Sequence, residues 1–204
     1  MWVKLCGFVR PEDVEYAVSL EVDAVGVIAV PNTPRCVTER EAIAVAGVPR
    51  HSTRLVSVFQ NPDKHYLEDM IAVLQPDLLQ FHGDETLDVA TRHGMPYVKA
   101  VRGARPSDVW YLRTHTDAFA WLVDTSSLSD EDEVTLSQLR ATHSTGRLII
   151  AGGLLPESVA ATARRFDAWG VDVSRGIERT AREKDHEAMR RFVNAARTED
   201  VQRI

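Results

Sequence analysis

From end to end the sequence alternates short apolar runs with amphipathic stretches, and that alternation limits the fold more than any other feature. The runs are Val3–Phe8, Ala24–Val30, Leu55–Asn61, Leu78–Gly83, Tyr97–Arg102, Phe119–Thr125, Arg147–Gly153 and Gly170–Ile177. None exceeds eight residues, and Val, Ile or Leu enrich each, as expected of strands covered on both faces. Helix signals lie between them. Pro11-Glu12-Asp13 supplies a proline and two acids for a first turn, and Thr38 with Glu41 has capping-box spacing. Asn61-Pro62 is expected to open the third helix, and Gly94 after Arg92-His93 to stop the fourth. Pro106-Ser107, Pro156-Glu157 and Lys184-Asp185 mark later starts, with a sixth helix near Val134–Thr142. Strand–helix alternation eight times over implies a parallel sheet with right-handed crossovers. At about 25 residues per unit, a closed (β/α)8 TIM barrel is just attainable. The rival, an open doubly wound sheet, lacks support because Cys6-Gly7-Phe8-Val9-Arg10 carries no dinucleotide-type glycine fingerprint.

The chain of 204 residues suits one barrel domain over 1–204. It contains no apolar window of about eighteen residues, so no membrane partner is expected, and its N-terminus lacks a signal-peptide pattern. A net charge of -6 from 24 basic and 30 acidic residues argues against a nucleic-acid partner, which would show a basic stripe. Cys6 and Cys36 are too few for a disulfide framework or a cysteine-rich zinc site, and a cytoplasmic location follows. A monomer is preferred over a homodimer. A regulatory Cys6–Cys36 disulfide is conceivable near the mouth but runs against a reducing cytosol.

In a barrel of this kind, functional side chains gather at the C-terminal strand ends. That rule selects Cys6, Pro31–Arg35, Gln60, His82, Arg102, Asp124–Ser126, Gly152–Gly153 and Ser174–Gly176. Strand alternation turns Lys4 and Cys6 inward on the first strand, and Asp172 and Ser174 inward on the eighth, so Lys4 and Asp172 are expected to form a buried ion pair. Gly152-Gly153 and Arg175-Gly176 end the seventh and eighth strands, where backbone amides form the recurrent phosphate cradle of such barrels. Cys6 and Asp124 are the candidate acid–base pair. A thiolate needs a cationic setting, and a partly desolvated carboxyl keeps its proton. The plainer alternatives are an inert buried thiol and a loop-capping aspartate.

Six segments occur in order: Lys4-Leu5-Cys6-Gly7, Pro34-Arg35-Cys36-Val37, Leu79-Gln80-Phe81-His82-Gly83-Asp84-Glu85, Leu122-Val123-Asp124, Ala151-Gly152-Gly153-Leu154 and Val171-Asp172-Val173-Ser174. Together with Val58-Phe59 they resemble the phosphoribosylanthranilate isomerases of tryptophan biosynthesis, over residues 1 to about 190. The resemblance implies an Amadori rearrangement of a phosphorylated small-molecule substrate, without metal or organic cofactor. It implies Cys6 as general base, Asp124 as general acid and Arg35 as partner of the anthranilate carboxylate. His82 would line the site or make a structural hydrogen bond. The chain departs from the family twice. Thr125–Glu133 replaces a glycine-rich loop, with its acidic part expected to point into solvent, and Arg175 replaces a serine. Arg175 would either reach the phosphate cradle or pair at the surface with Glu178 or Glu183.

Three other readings compete. The histidine-pathway isomerase resembles a two-fold repeat with an aspartate where Cys6 stands, and no repeat is evident here. A paralogue could act on another N-glycosylamine phosphate. A non-catalytic phosphosugar-binding protein would need neither Cys6 nor Asp124.

Overall fold

A computed structural model of the chain describes residues 1–102, 111–127, 134, 136–138 and 140–198. Eight parallel strands close into a barrel in sequence order: β1 (Trp2–Cys6), β2 (Ala24–Ile28), β3 (Arg54–Phe59), β4 (Leu78–Phe81), β5 (Tyr97–Val101), β6 (Ala120–Asp124), β7 (Leu148–Ala151) and β8 (Gly170–Val173). All eight expected strands are present. Each ends a residue or more earlier than its apolar run, because the last residues of each run turn into the loops of the mouth. Closure comes from β1 against β8, where Lys4 lies opposite Asp172 and Val3 opposite Val171.

Two apolar layers follow from strand alternation. Val3, Leu5, Leu79, Phe81, Val171 and Val173 face the helices. Trp2, Cys6, Val56, Val98, Leu122 and Ile149 fill the barrel. Within that interior Lys4 is fully buried and its Nζ lies 2.9 Å from Asp172 Oδ1. Deleting one member of a buried pair strands the other charge, so Lys4→Met is expected to cost about 3–5 kcal/mol, read from its urea unfolding midpoint.

Helices α1 (Pro11–Ser19), α2 (Glu39–Ala46), α3 (Lys64–Leu74) and α4 (Leu87–Thr91) cover the first half. Thr38 and Glu41 form the expected capping box on α2. The third helix starts later than Asn61-Pro62, because Asp63 is its cap and accepts the Tyr66 N–H at 2.9 Å. Gly94 takes a positive φ of 63° just beyond α4. Pro156-Glu157 also precedes rather than opens its helix, which spans Val159–Arg165. Between β6 and β7, Val134, Leu136–Gln138 and Arg140 are helical, while the Pro106-Ser107 start and the acidic run Ser129–Glu133 lie outside the described residues.

One correction bears on the site. Asp185 caps the C-terminal helix His186–Arg197 by accepting the Ala188 N–H at 3.0 Å, so Lys184 is not a helix start. Instead Glu178–Thr180 pairs antiparallel with Glu183–Lys184. This hairpin folds Lys184 back to the barrel rim, where the side chain is almost wholly buried. Among the described residues, no helix is long and apolar enough to cross a membrane.

Candidate active site

The inward parity of the strands continues into the loops and assembles the site. Cys6, Gln60, His82, Arg102, Asp124, Asp172 and Ser174 all line cavities at the C-terminal mouth. A central cavity of about 250 Å³ holds Cys6, Arg35 and His82. It shares Asp172 and Ser174 with a neighbour of about 160 Å³, which Asp124, Gly152, Gly153, Arg175 and Gly176 also line. On the other side it shares Gln60, His82 and Arg102 with a cavity of about 310 Å³ reaching Asn61 and Tyr111. All eight site residues expected from sequence thus border one continuous groove.

Cys6 is buried, and a Cβ on Gly26 of β2 would sit 2.6 Å from its Sγ and 3.0 Å from Lys4 Nζ. Gly26 therefore makes room for the thiol and the ammonium side by side. Burial pushes the Cys6 thiol above its ordinary value and Asp172 adds to this, while Lys4 and then Lys184 oppose it. For Lys4, burial works against the charge, but Asp172 and then Cys6 outweigh it and hold the ammonium on. The sulfur of Cys36 points elsewhere, lying 3.9 Å from the Tyr66 hydroxyl, and both cysteines are free thiols.

Asp124 ends β6, and its Oδ1 accepts the Ser126 N–H at 3.0 Å and the Ser126 hydroxyl at 2.5 Å. This is the capping geometry of the plainer reading, yet among the described residues Oδ2 carries no hydrogen bond and is left for other chemistry. Gly152 has φ 95°, and a Cβ there would land on Asp124 Oδ1, so the first glycine of the cradle also shapes the space of the carboxylate. Gly176 is equally constrained, since a Cβ would strike the Leu154 carbonyl oxygen. These glycines bring two loops together around the smaller cavity. Arg175 is exposed at its edge. The alternative surface pairs do not form among the described residues. Glu178 binds Arg35 and Lys184, and Glu183 lies 3.4 Å from Arg10 and 3.7 Å from Arg179.

His82 lines the groove, and its Nε2 lies against the Gln80 amide. Burial, then Lys4, Lys99 and Arg102, push its pKa down to about 3, which keeps the ring neutral at physiological pH.

Two residues of the site escaped sequence reasoning. Glu178 accepts from Arg35 Nε at 2.9 Å and Nη2 at 2.6 Å, from Lys184 Nζ at 2.7 Å and from the Ser174 hydroxyl at 3.1 Å. Lys184 Nζ also donates to the Cys6 carbonyl oxygen at 2.5 Å. Burial works against the Glu178 charge, but Arg35 and Lys184 outweigh it and hold the carboxyl below its ordinary value. For Lys184 burial wins, and its pKa is lowered despite Glu178. The signal available in the sequence was Asp185, whose capping role excludes Lys184 from the helix.

The family profile described as N-(5'phosphoribosyl)anthranilate (PRA) isomerase matches residues 3–195. The chain is 35% identical over 196 residues to the N-(5'-phosphoribosyl)anthranilate isomerase of Halorhodospira halophila, covering 94% of each protein. Its fold is similar to that of the phosphoribosyl anthranilate isomerase of Thermotoga maritima, with a TM-score of 0.86 at 25% identity, over 97% of this chain and 99% of that one. The same TM-score and coverage relate it to a phosphoribosyl anthranilate isomerase solved with reduced 1-(o-carboxyphenylamino)-1-deoxyribulose 5-phosphate. With the profile spanning nearly the whole chain, it belongs to the N-(5'-phosphoribosyl)anthranilate isomerase family.

Proposed function

We propose that this chain is a cytoplasmic enzyme of tryptophan biosynthesis that converts N-(5'-phosphoribosyl)anthranilate into 1-(2-carboxyphenylamino)-1-deoxyribulose 5-phosphate. The observation that carries this reading is one groove with Cys6 and Arg35 at its centre and Asp124 beside a glycine-built cradle. In this reading the cradle of Gly152, Gly153 and Gly176 holds the phosphate through backbone amides, with Arg175 as a charged donor at its rim. Asp124 gives a proton to the ribose ring oxygen. The C1–O bond breaks as the nitrogen lone pair forms an iminium. The Cys6 thiolate then takes the proton from C2, and the C–H electron pair forms the enolamine double bond and neutralises the iminium. Tautomerisation moves a proton to C1 and leaves the C2 ketone. Lys4 and Lys184 are the cations that favour the ionised thiol. A thiol raised by burial is a strong base once ionised, and the iminium makes the C2 proton acidic enough for it.

In this reading the protein acts as a monomer, because all eight expected site residues come from one chain. Ile43, Leu87, Val134 and Leu155, large apolar side chains exposed among the described residues, lie on separate segments.

The decisive experiment is turnover of phosphoribosylanthranilate by the purified protein, followed by fluorescence. No turnover at any substrate concentration overturns the assignment. A non-catalytic binder would retain affinity for the phosphorylated product alone.

Arg35→Met is expected to raise KM strongly and to weaken binding of the reduced product. Loss of a charge-assisted hydrogen bond costs about 1.5–3 kcal/mol. Unchanged affinity would mean that the substrate carboxylate is held elsewhere. Arg175→Ser is expected to weaken inhibition by inorganic phosphate and to flatten its dependence on salt, because an exposed guanidinium acts through a screened charge. Inhibition identical to the parent across salt concentrations would exclude Arg175 from the cradle.

A further inference from the structure

We infer that Glu178 is a positioning residue that orients Arg35 for recognition of a substrate carboxylate. This rests on the proposed function, which assigns the carboxylate to Arg35. A guanidinium presents two forks of donors, a side-on fork from Nε and Nη2 and an end-on fork from Nη1 and Nη2. Glu178 occupies the side-on fork, with its two oxygens at 2.9 Å and 2.6 Å. That leaves the end-on fork for a second carboxylate, and Arg35 lines the central cavity beside Cys6.

Glu178 is itself fixed. Its side chain is 6% exposed, and it also takes bonds from Lys184 and Ser174. Gly7, at φ 85°, is where these groups converge, since a Cβ there would lie 2.9 Å from Ser174 Oγ, 3.0 Å from Arg35 Cδ and 3.3 Å from Lys184 Nζ. The arrangement leaves little room for Arg35 to adopt another pose.

A fixed carboxylate next to a carboxylate-binding arginine raises an opposing possibility, that Glu178 merely competes with the ligand for positive charge. Lys184 answers it. Its ammonium, 2.7 Å from the same carboxylate, cancels the Glu178 charge, so the trio keeps one net positive charge for an incoming anion. Orientation therefore outweighs competition.

The two effects predict opposite signs. Binding of two probes would be measured by calorimetry: reduced 1-(o-carboxyphenylamino)-1-deoxyribulose 5-phosphate, and the same molecule without its carboxyl group. The parent is expected to prefer the carboxylate probe, and Arg35→Met to abolish that preference. Glu178→Gln is expected to reduce it by about tenfold, the scale of one mispositioned charge-assisted hydrogen bond, while affinity for the carboxyl-free probe stays within about twofold. Because Glu178→Gln leaves Lys184 buried beside a neutral amide, the double variant Glu178→Gln/Lys184→Met removes both charges and serves if the single variant unfolds. It should lose the preference as well.

An undiminished preference in the Glu178 variants, or a tighter grip on the carboxylate probe, overturns the positioning role. Equal weakening of both probes also overturns it, since a general structural defect would produce that result. A parent without preference for the carboxylate, or an Arg35→Met variant that keeps it, removes Arg35 from recognition and takes this inference down with it. The catalytic roles of Cys6 and Asp124 would then stand or fall separately, by turnover.

Discussion

Cys6→Ala and Asp124→Asn are each expected to lower kcat by about a hundredfold to ten-thousandfold, the range for loss of a proton-transfer group. Both variants should keep the melting behaviour of the parent, because Cys6 is small among its barrel neighbours and asparagine can still accept the Ser126 hydrogen bonds. Cys6→Ser should fail similarly, since an alcohol is a far poorer base near neutral pH. The pH profile gives an independent check. The base must be ionised to act, and burial raises the Cys6 thiol, so kcat/KM should climb as pH rises through that raised value. Near-parental turnover in the folded Cys6→Ala protein, or a rising limb that survives Cys6→Ser, would exclude the thiol as base.

Gly152→Ala is expected to be nearly as damaging through a different route. At φ 95° an alanine carries a backbone penalty of about 1–3 kcal/mol, and its Cβ falls on the Asp124 carboxylate. That Cβ would also sit 2.6 Å from Asp124 Cγ and 2.9 Å from the Thr125 nitrogen, so the acid must move. A shift of about 1 Å in a catalytic group can cost about a hundredfold in rate. Gly153→Ala is the informative comparison. Gly153 also has positive φ, 65°, but nothing lies within 4 Å of the added carbon. It should lose stability with a kcat loss about tenfold smaller, because only the left-handed backbone is strained. Equal kcat losses in the two variants would mean that the cradle, not the position of Asp124, is what Gly152 protects.

Much of this site was legible because β-strand alternation is a strict rule. Once the eight apolar runs were in place, parity turned Lys4, Cys6, Asp172 and Ser174 inward and paired Lys4 with Asp172 across the seam, while Asp124 was found as a strand end. The glycine cradle was legible because its two turns fall where strands seven and eight must end. Lys184 and Glu178 were not legible in the same way. They follow the last strand, where no periodic pattern fixes direction, and the short hairpin that returns them has no strong turn signal. The Asp124 turn is a case in between. The sequence offered both a proton donor and a loop cap, and the side chain has one oxygen committed to the cap and the other without a hydrogen bond among the described residues.

The seam between β1 and β8 also sets an order of events during synthesis. Trp2 pairs with Gly170, so the first strand emerging from a ribosome must wait for nearly the whole chain before its second neighbour exists. Until then its open edge can pair with any other nascent strand, a known route to aggregation. Lys184 extends the wait, since its contact with Cys6 joins residues 178 positions apart in sequence. The thiol therefore cannot acquire its full electrostatic setting until residue 184 has been synthesised. A truncated or stalled polypeptide would carry the Cys6 thiol without Lys184 beside it.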